Sequence, residues 1–119
     1  MQNNDEWVIY LLVRTDLKMG KGKIAAQCGH AVQWLTMAQI TTDEFAEYCN
    51  GVYPKICLKI PNEDSLHEIA NHCKANCISF SIVIDAGRTQ VESGTATVLG
   101  VGPIRRSATP QMIRELKLL

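Results

Sequence analysis

The chain has no apolar run approaching the roughly 20 residues of a membrane-spanning helix, and no excess of either charge. Its 12 Lys and Arg offset 12 Asp and Glu, so composition alone does not mark a nucleic-acid binder. An Asn-x-Ser/Thr sequon, an internal repeat and a low-complexity tract are all missing. The five cysteines (Cys28, Cys49, Cys57, Cys73, Cys77) are odd in number and irregularly spaced, which fits reduced thiols better than a disulfide framework. The start, Met1 to Glu6, is polar and acidic, unlike a secretory or mitochondrial leader, and reads as a flexible N-terminus. The expectation is a cytoplasmic protein with no membrane partner. At 119 residues, 46% hydrophobic and 20% charged, the chain suits one domain over 1–119 with one core.

Charge is uneven along the chain. Acidic residues gather in Asp43 to Glu47 and Asn62 to Glu68, and basic ones in Arg14 to Lys23 and at Arg88, Arg105 and Arg106. Trp7 to Val13 is a nearly continuous apolar run and reads as a central strand covered on both faces. After the basic glycine turn Met19 to Gly22, the pattern becomes helical from Lys23 to about Gln39. Ile24, Cys28, Ala31, Val32 and Leu35 form its core side; Lys23, Gln27, His30 and Trp34 form an adjacent stripe. Ala25, Ala26, Gly29 and Ala31 suggest close packing on a sheet.

Thr41 to Glu44 caps a short helix, Lys55 to Ile60 reads as a second strand, and Pro61 to Ser65 opens a third helix. Ser79 to Asp85 gives a third strand; Thr95 to Val101 gives a fourth, closed by Gly102-Pro103. Thr109-Pro110 starts a last helical turn, with Pro at the first helical position. This order predicts a single-domain three-layer α/β/α sandwich with a mixed four-stranded sheet.

The Gly20-Lys21-Gly22-Lys23 turn resembles a nucleotide-binding phosphate loop superficially. That motif needs four residues between its glycines and a Ser or Thr after its lysine, whereas here the glycines are one residue apart and Ile24 follows Lys23. Taken alone it reads as a solvated basic turn. The stripe Lys23, Gln27, His30 weakens that reading, because three polar groups beginning at a helix N-terminus can line a cleft for an anion or a carbonyl oxygen. Taken alone, His30 reads as a hydrogen-bonded structural histidine. Asp85 ends a strand, where ligands of open α/β sheets bind, and either orients water or an ammonium or closes an Asx turn. Thr95 and Thr97 alternate with apolar neighbours, the pattern of a solvent face. His72, Cys73 and Cys77 lack a complementary ligand pair for a metal, and no Gly-x-Ser-x-Gly elbow is present.

Three separated segments resemble the type 2 peptidyl-tRNA hydrolases of archaea and eukaryotes: Val13 to Cys28 with His30-Ala31, Asp85 to Gln90, and Gly94-Thr95 with Thr97 and Leu99 to Pro103. The closing Leu116 to Leu119 resembles the family's end, while Ile104 to Glu115 departs from many members. The resemblance implies hydrolysis of the ester between a peptide and the 3′ end of tRNA, with no cofactor, no metal and often a homodimer. It places Lys23, Asp85 and Thr89 at the reaction, with Gln27 and His30 as supporting catalytic candidates. Lys18, Lys21, Arg88, Thr95 and Thr97 become candidates for contacts to peptidyl-tRNA. Some eukaryotic members carry a long N-terminal targeting segment; its absence here adds to the cytoplasmic expectation. The alternative is a non-catalytic RNA- or partner-binding module on the same fold; a phosphate-binding enzyme of small molecules ranks behind it.

Overall fold

In the computed structural model, residues 5–87 and 94–119 are described. The elements are β1 (Trp7–Arg14), α1 (Lys21–Gln39), α2 (Asp43–Cys49), β2 (Lys55–Ile60), α3 (Glu63–Ala75), β3 (Phe80–Ile84), β4 (Ala96–Arg105) and α4 (Gln111–Arg114), with a 3-10 turn at Arg106–Ala108. β1 is buried along seven of its eight residues, as its unbroken apolar run requires. The sheet order is β2-β1-β4-β3. β1 and β2 are parallel, and β4 runs antiparallel to both β1 and β3. The carboxyl ends of β1, β2 and β3 therefore meet the amino end of β4 at one end of the sheet.

Alternation along β1 builds two cores. Ile9, Leu11 and Val13 pack with Ala31 and Leu35 of α1 and Phe45 and Tyr48 of α2. Val8, Tyr10 and Leu12 pack on the other face with Leu66, Ile69, Ala70 and Cys73 of α3. Helices thus cover both faces of a mixed four-stranded sheet, the expected three-layer sandwich. Thr42 and Asn62 cap α2 and α3 with their side chains, and each helix carries two acids in its first turn. Asp5 and Glu6 are tied to the far end of the chain through Ser107 and Arg106; residues 1–4 of the expected flexible N-terminus lie outside the described residues.

The structure revises four local expectations. α1 starts at Lys21, two residues early, so half of the supposed glycine turn is helix. The close approach of α1 to the sheet rests on Ala31 alone among the four small residues named above. Ala31 is fully buried, and its Cβ lies 3.0 Å from where a side chain on Gly100 would begin. Ala25, Ala26 and Gly29 are exposed. Gly102-Pro103 does not close β4; the strand continues to Arg105 through a register shift opposite Val8 to Tyr10. Gly102 permits this because it adopts a φ of 117° and a Cβ there would meet the Val8 carbonyl oxygen at 2.6 Å. Pro110 is the N-cap of α4, not its first helical residue. The tail beyond α4 pairs with β2: Leu58 bridges Leu118, and the Lys59 amide donates to the Lys117 carbonyl at 2.8 Å.

Gly102→Ala is expected to destabilise the fold by about 2–3 kcal/mol, since both φ and space forbid the methyl group. Gly29→Ala, at a mid-helix position with nothing within 4 Å of the added carbon, is expected to stabilise by about 0.5–1 kcal/mol. Urea midpoints of the two variants check both signs.

Candidate active site

The second residue stripe of α1 meets the end of β3. Lys23 stands in the first turn of α1, and its ammonium forms an ion pair with Oδ1 of Asp85, the residue directly after β3. Both side chains are withdrawn from water, at 7% and 4% exposure. Isolated, either charge would be costly to bury; paired, each answers the other. Asp85 Oδ2 accepts a hydrogen bond from the Gly87 amide at 2.9 Å. The two sequence readings of Asp85, an Asx turn and an ammonium partner, are therefore both realised, one on each oxygen. The backbone of Asp85 is pinned as well: its amide donates to the Thr95 carbonyl and its carbonyl accepts from the Gly94 amide, both at 2.9 Å.

One helical turn beyond Lys23, Gln27 is 3% exposed and donates through Nε2 to Thr97 Oγ1 at 2.7 Å. Thr97 donates onward to the Val83 carbonyl at 3.3 Å. This link exists because β4 carries an extra residue opposite the Val83/Ile84 step, where the pairing slips from Val98 to Ala96. The bulge turns Thr97 and Val98 toward the same helix, while Ala96 joins the opposite core. Strict alternation, on which the solvent-face reading of Thr97 depended, fails at this residue. Thr97 is 0% exposed and so cannot contact tRNA; its hydroxyl braces Gln27.

The stripe then leaves the interior. His30 and Trp34 are exposed, and the His30 side chain bonds no described residue, contrary to its reading as a hydrogen-bonded structural histidine. Lys18, in a left-handed conformation with φ of 52°, and Lys21 are exposed beside the start of α1. Thr95 is half-buried, with its carbonyl committed to Asp85. Arg88 and Thr89 lie outside the described residues. Among the described residues, no group of three His, Cys, Asp or Glu stands close enough to hold a metal, and no helix is long and apolar enough to cross a membrane.

Arg14 is a residue whose part the sequence did not disclose. The residue is 8% exposed, and its guanidinium donates to the Ala96 carbonyl at 2.9 Å and to both carboxylate oxygens of Asp16 at 3.1 and 2.7 Å. Glu63, at the start of α3, lies 3.5 Å from it. The hydrogen bond from Arg14 holds the Asp16 carboxyl below its usual range. Arg14 thus fastens the end of β1 to the start of β4 and sets the course of the Thr15 to Lys18 turn. The available signal was an Arg and an Asp two apart at a strand end, which basic clustering masked. Cys28 follows Gln27, but burial, aided by the neighbouring Cys57, pushes its thiol up to about 12. That leaves it protonated and unfit as a nucleophile.

Thr97→Val keeps the shape of the brace and removes its acceptor, leaving the Gln27 amide buried without a partner. The expected cost is about 1–3 kcal/mol, with Thr97→Ser milder. Combining Thr97→Val with Gln27→Leu is expected to cost less than the sum of the single changes, read from a double-mutant cycle in urea.

The family described as "Peptidyl-tRNA hydrolase PTH2" matches residues 7–119. The chain is 44% identical to a Mus musculus protein named "Peptidyl-tRNA hydrolase 2, mitochondrial" over 117 residues, covering 95% of this chain and 64% of that protein. It is 38% identical to a Saccharolobus solfataricus "Peptidyl-tRNA hydrolase" over 115 residues, covering 92% of this chain and 96% of the relative. The human protein named "Peptidyl-tRNA hydrolase 2, mitochondrial" is 41% identical over 98% of this chain and 66% of its own length. The chain therefore spans slightly less than two thirds of its mammalian relatives and nearly all of its archaeal one. A match across every described element beyond Glu6 shows that the chain belongs to the PTH2 family of peptidyl-tRNA hydrolases.

Proposed function

We propose that this chain hydrolyses the ester joining a peptide to the 3′-terminal ribose of tRNA. The observation that carries the reading is the buried Lys23–Asp85 pair at the carboxyl ends of the strands, in a chain of this family. In the proposed step, water hydrogen-bonded to Asp85 attacks the ester carbonyl carbon. The new carbon–oxygen bond places negative charge on the former carbonyl oxygen, which Lys23 stabilises through an N–H not used by Asp85. Collapse breaks the bond to the ribose oxygen, which leaves with the proton taken from water. Thr89 is assigned to orient the water beside Asp85. Gln27 is a positioning residue, since its amide is spent on Thr97. His30, exposed and near the same helix face, is assigned to the entrance, and Thr95 to the backbone that holds Asp85.

Binding is assigned to the exposed cations. Lys18 and Lys21 flank the amino end of α1, where backbone N–H groups and the helix dipole also favour phosphate, and Arg88 is assigned with them. Helix beginning at Lys21 leaves no loop between the glycines to cradle a nucleotide, which removes support from the small-molecule phosphate reading. A homodimer belongs to the same proposal, supported by the exposed Met37, Ile40 and Val52; a monomer at all concentrations in sedimentation would remove it.

The test is deacylation of N-acetyl-aminoacyl-tRNA with chelator present. Asp85→Asn is expected to lower kcat by about 10²–10⁴-fold in a domain that still folds but is less stable, because Lys23 loses its counter-charge. Lys23→Met removes the ammonium that faces the buried Asp85 carboxylate and is expected to lose turnover and about 3–5 kcal/mol of stability. The double variant Lys23→Met/Asp85→Leu is expected to regain most of that stability and none of the activity. Near-normal turnover in Asp85→Asn refutes its role, and an inactive wild-type protein that still binds tRNA favours the binding-module alternative. In the same assay Lys18→Ala and Lys21→Ala are expected to raise KM, leave kcat in place, and each flatten the dependence of log(1/KM) on log salt by about 0.7–0.9.

A further inference from the structure

The two edges of the sheet differ. β2 carries Lys55 and Lys59, and the chain's own residues 117–119 lie along it, with the Leu119 amide donating to the Cys57 carbonyl at 3.0 Å. β3, on the opposite edge, reads Phe80-Ser81-Ile82-Val83-Ile84, with no charge and no proline. Exposed edges are normally protected by such residues, because unpaired backbone groups invite another strand.

The outward groups of β3 can be identified. The Gly102 amide donates to the Ser79 carbonyl at 2.8 Å, so Ser79, Ser81 and Val83 turn their backbone groups toward β4. Phe80, Ile82 and Ile84 turn theirs away, and those groups have no hydrogen-bond partner among the described residues. Beside this edge, a groove of about 420 Å³ runs between Trp34 and Ala38 of α1 and Ser79 and Ser81. Trp34 and Ile84, on either side of the edge, are 59% and 54% exposed. The strand leads directly into Asp85.

We propose that the open edge of β3 holds the peptide of the substrate as an added strand. The inference rests on the hydrolase reading, which fixes the ester at Lys23 and Asp85 and so fixes where the peptide begins. A peptide whose carboxyl end lies at Asp85 and whose chain runs back toward Phe80 lies parallel to β3, along a track of roughly 17 Å. Its backbone bonds to Phe80, Ile82 and Ile84. Recognition through main-chain groups ignores side-chain identity, which an enzyme acting on peptides of any sequence requires. An uncharged strand edge suits a neutral backbone, and Trp34 supplies apolar area to whatever side chain falls beside it.

The experiment compares deacylation of tRNA carrying an acetylated single residue with tRNA carrying acetylated peptides of two to five residues. The expected result is a kcat/KM that rises with length and levels off when the peptide passes Phe80. N-methylation of single peptide nitrogens is expected to reduce kcat/KM at alternate positions only, by about three- to tenfold each. Ile82→Pro removes an outward amide at a position where an edge strand tolerates proline, and is expected to erase the length gain while leaving the single-residue substrate unchanged. Should that variant misfold, the methylated substrates decide. Turnover independent of peptide length and of N-methylation overturns the strand proposal and leaves the hydrolase reading standing. Loss of dimer in Ile82→Pro with no change toward methylated substrates overturns it in favour of a second copy on this edge. An enzyme inactive on all of these tRNAs overturns the hydrolase reading itself.

Discussion

The constraint on which the site depends is the burial of one ammonium and one carboxylate against each other. A buried ion pair seldom makes a fold more stable than an apolar pair of similar volume, because the desolvation of both charges offsets their attraction. Lys23 and Asp85 therefore have no strong justification as a stability device. What the pairing does secure is position: it fastens the first turn of α1 to the end of β3 in a place where water is scarce. Lysine in a helix's first turn opposes the dipole, and α1 has no acid there to relieve it, unlike α2 and α3. Asp85 supplies that relief from another element, so removing it unsettles the helix start.

β4 is the strand that makes this junction possible. It is antiparallel to both of its neighbours and departs from regular pairing twice, at Thr97 and at Gly102-Pro103. The first departure turns a hydroxyl into the α1 side to meet Gln27; the second carries the strand to Arg105 past Val8 and Ile9. Gly100, between them, lets Ala31 and Leu35 approach the sheet. Two bulges and a glycine thus set the height and tilt of α1, and with them the reach of Lys23. A cavity of about 670 Å³ lined by Trp7, Gln39 and Ile104 lies at the opposite end of the sheet, far from these groups along the strands.

The sequence made the layers legible because both cores come from simple periodicities: the unbroken run of β1, and apolar spacing along α1 and α3 that pattern alone reveals. Lys23 and Asp85 were legible separately, one as a polar residue on a helix stripe and one as the acid ending a strand. Their contact was not, since they are 62 residues apart and depend on the sheet order. Thr97 was misread because one inserted residue reverses alternation, and a bulge leaves no mark in composition. Arg14 was hidden by its neighbours: among Lys18, Lys21 and Lys23 it looked like one more surface cation, whereas its acceptor is the backbone of Ala96, 82 positions on.

The asymmetry of the sheet edges follows from the same topology. β2 and β3 both run parallel to β1, but α3 carries the chain across one face and leaves them on opposite sides. The tail returns to β2, which is remote from Asp85, so the edge continuous with the ion pair is the one without a covering strand from the described chain. Had the tail folded onto β3 instead, its backbone would occupy the line that leads to the carboxylate. On the proposed activity, substrates share an ester and a tRNA end but differ in every peptide side chain, so the features to be recognised are charge and backbone. Exposed lysines at the start of α1 suit the first, and the outward amides and carbonyls along β3, without partners among the described residues, suit the second, with Lys23 and Asp85 at the carboxyl end of that strand.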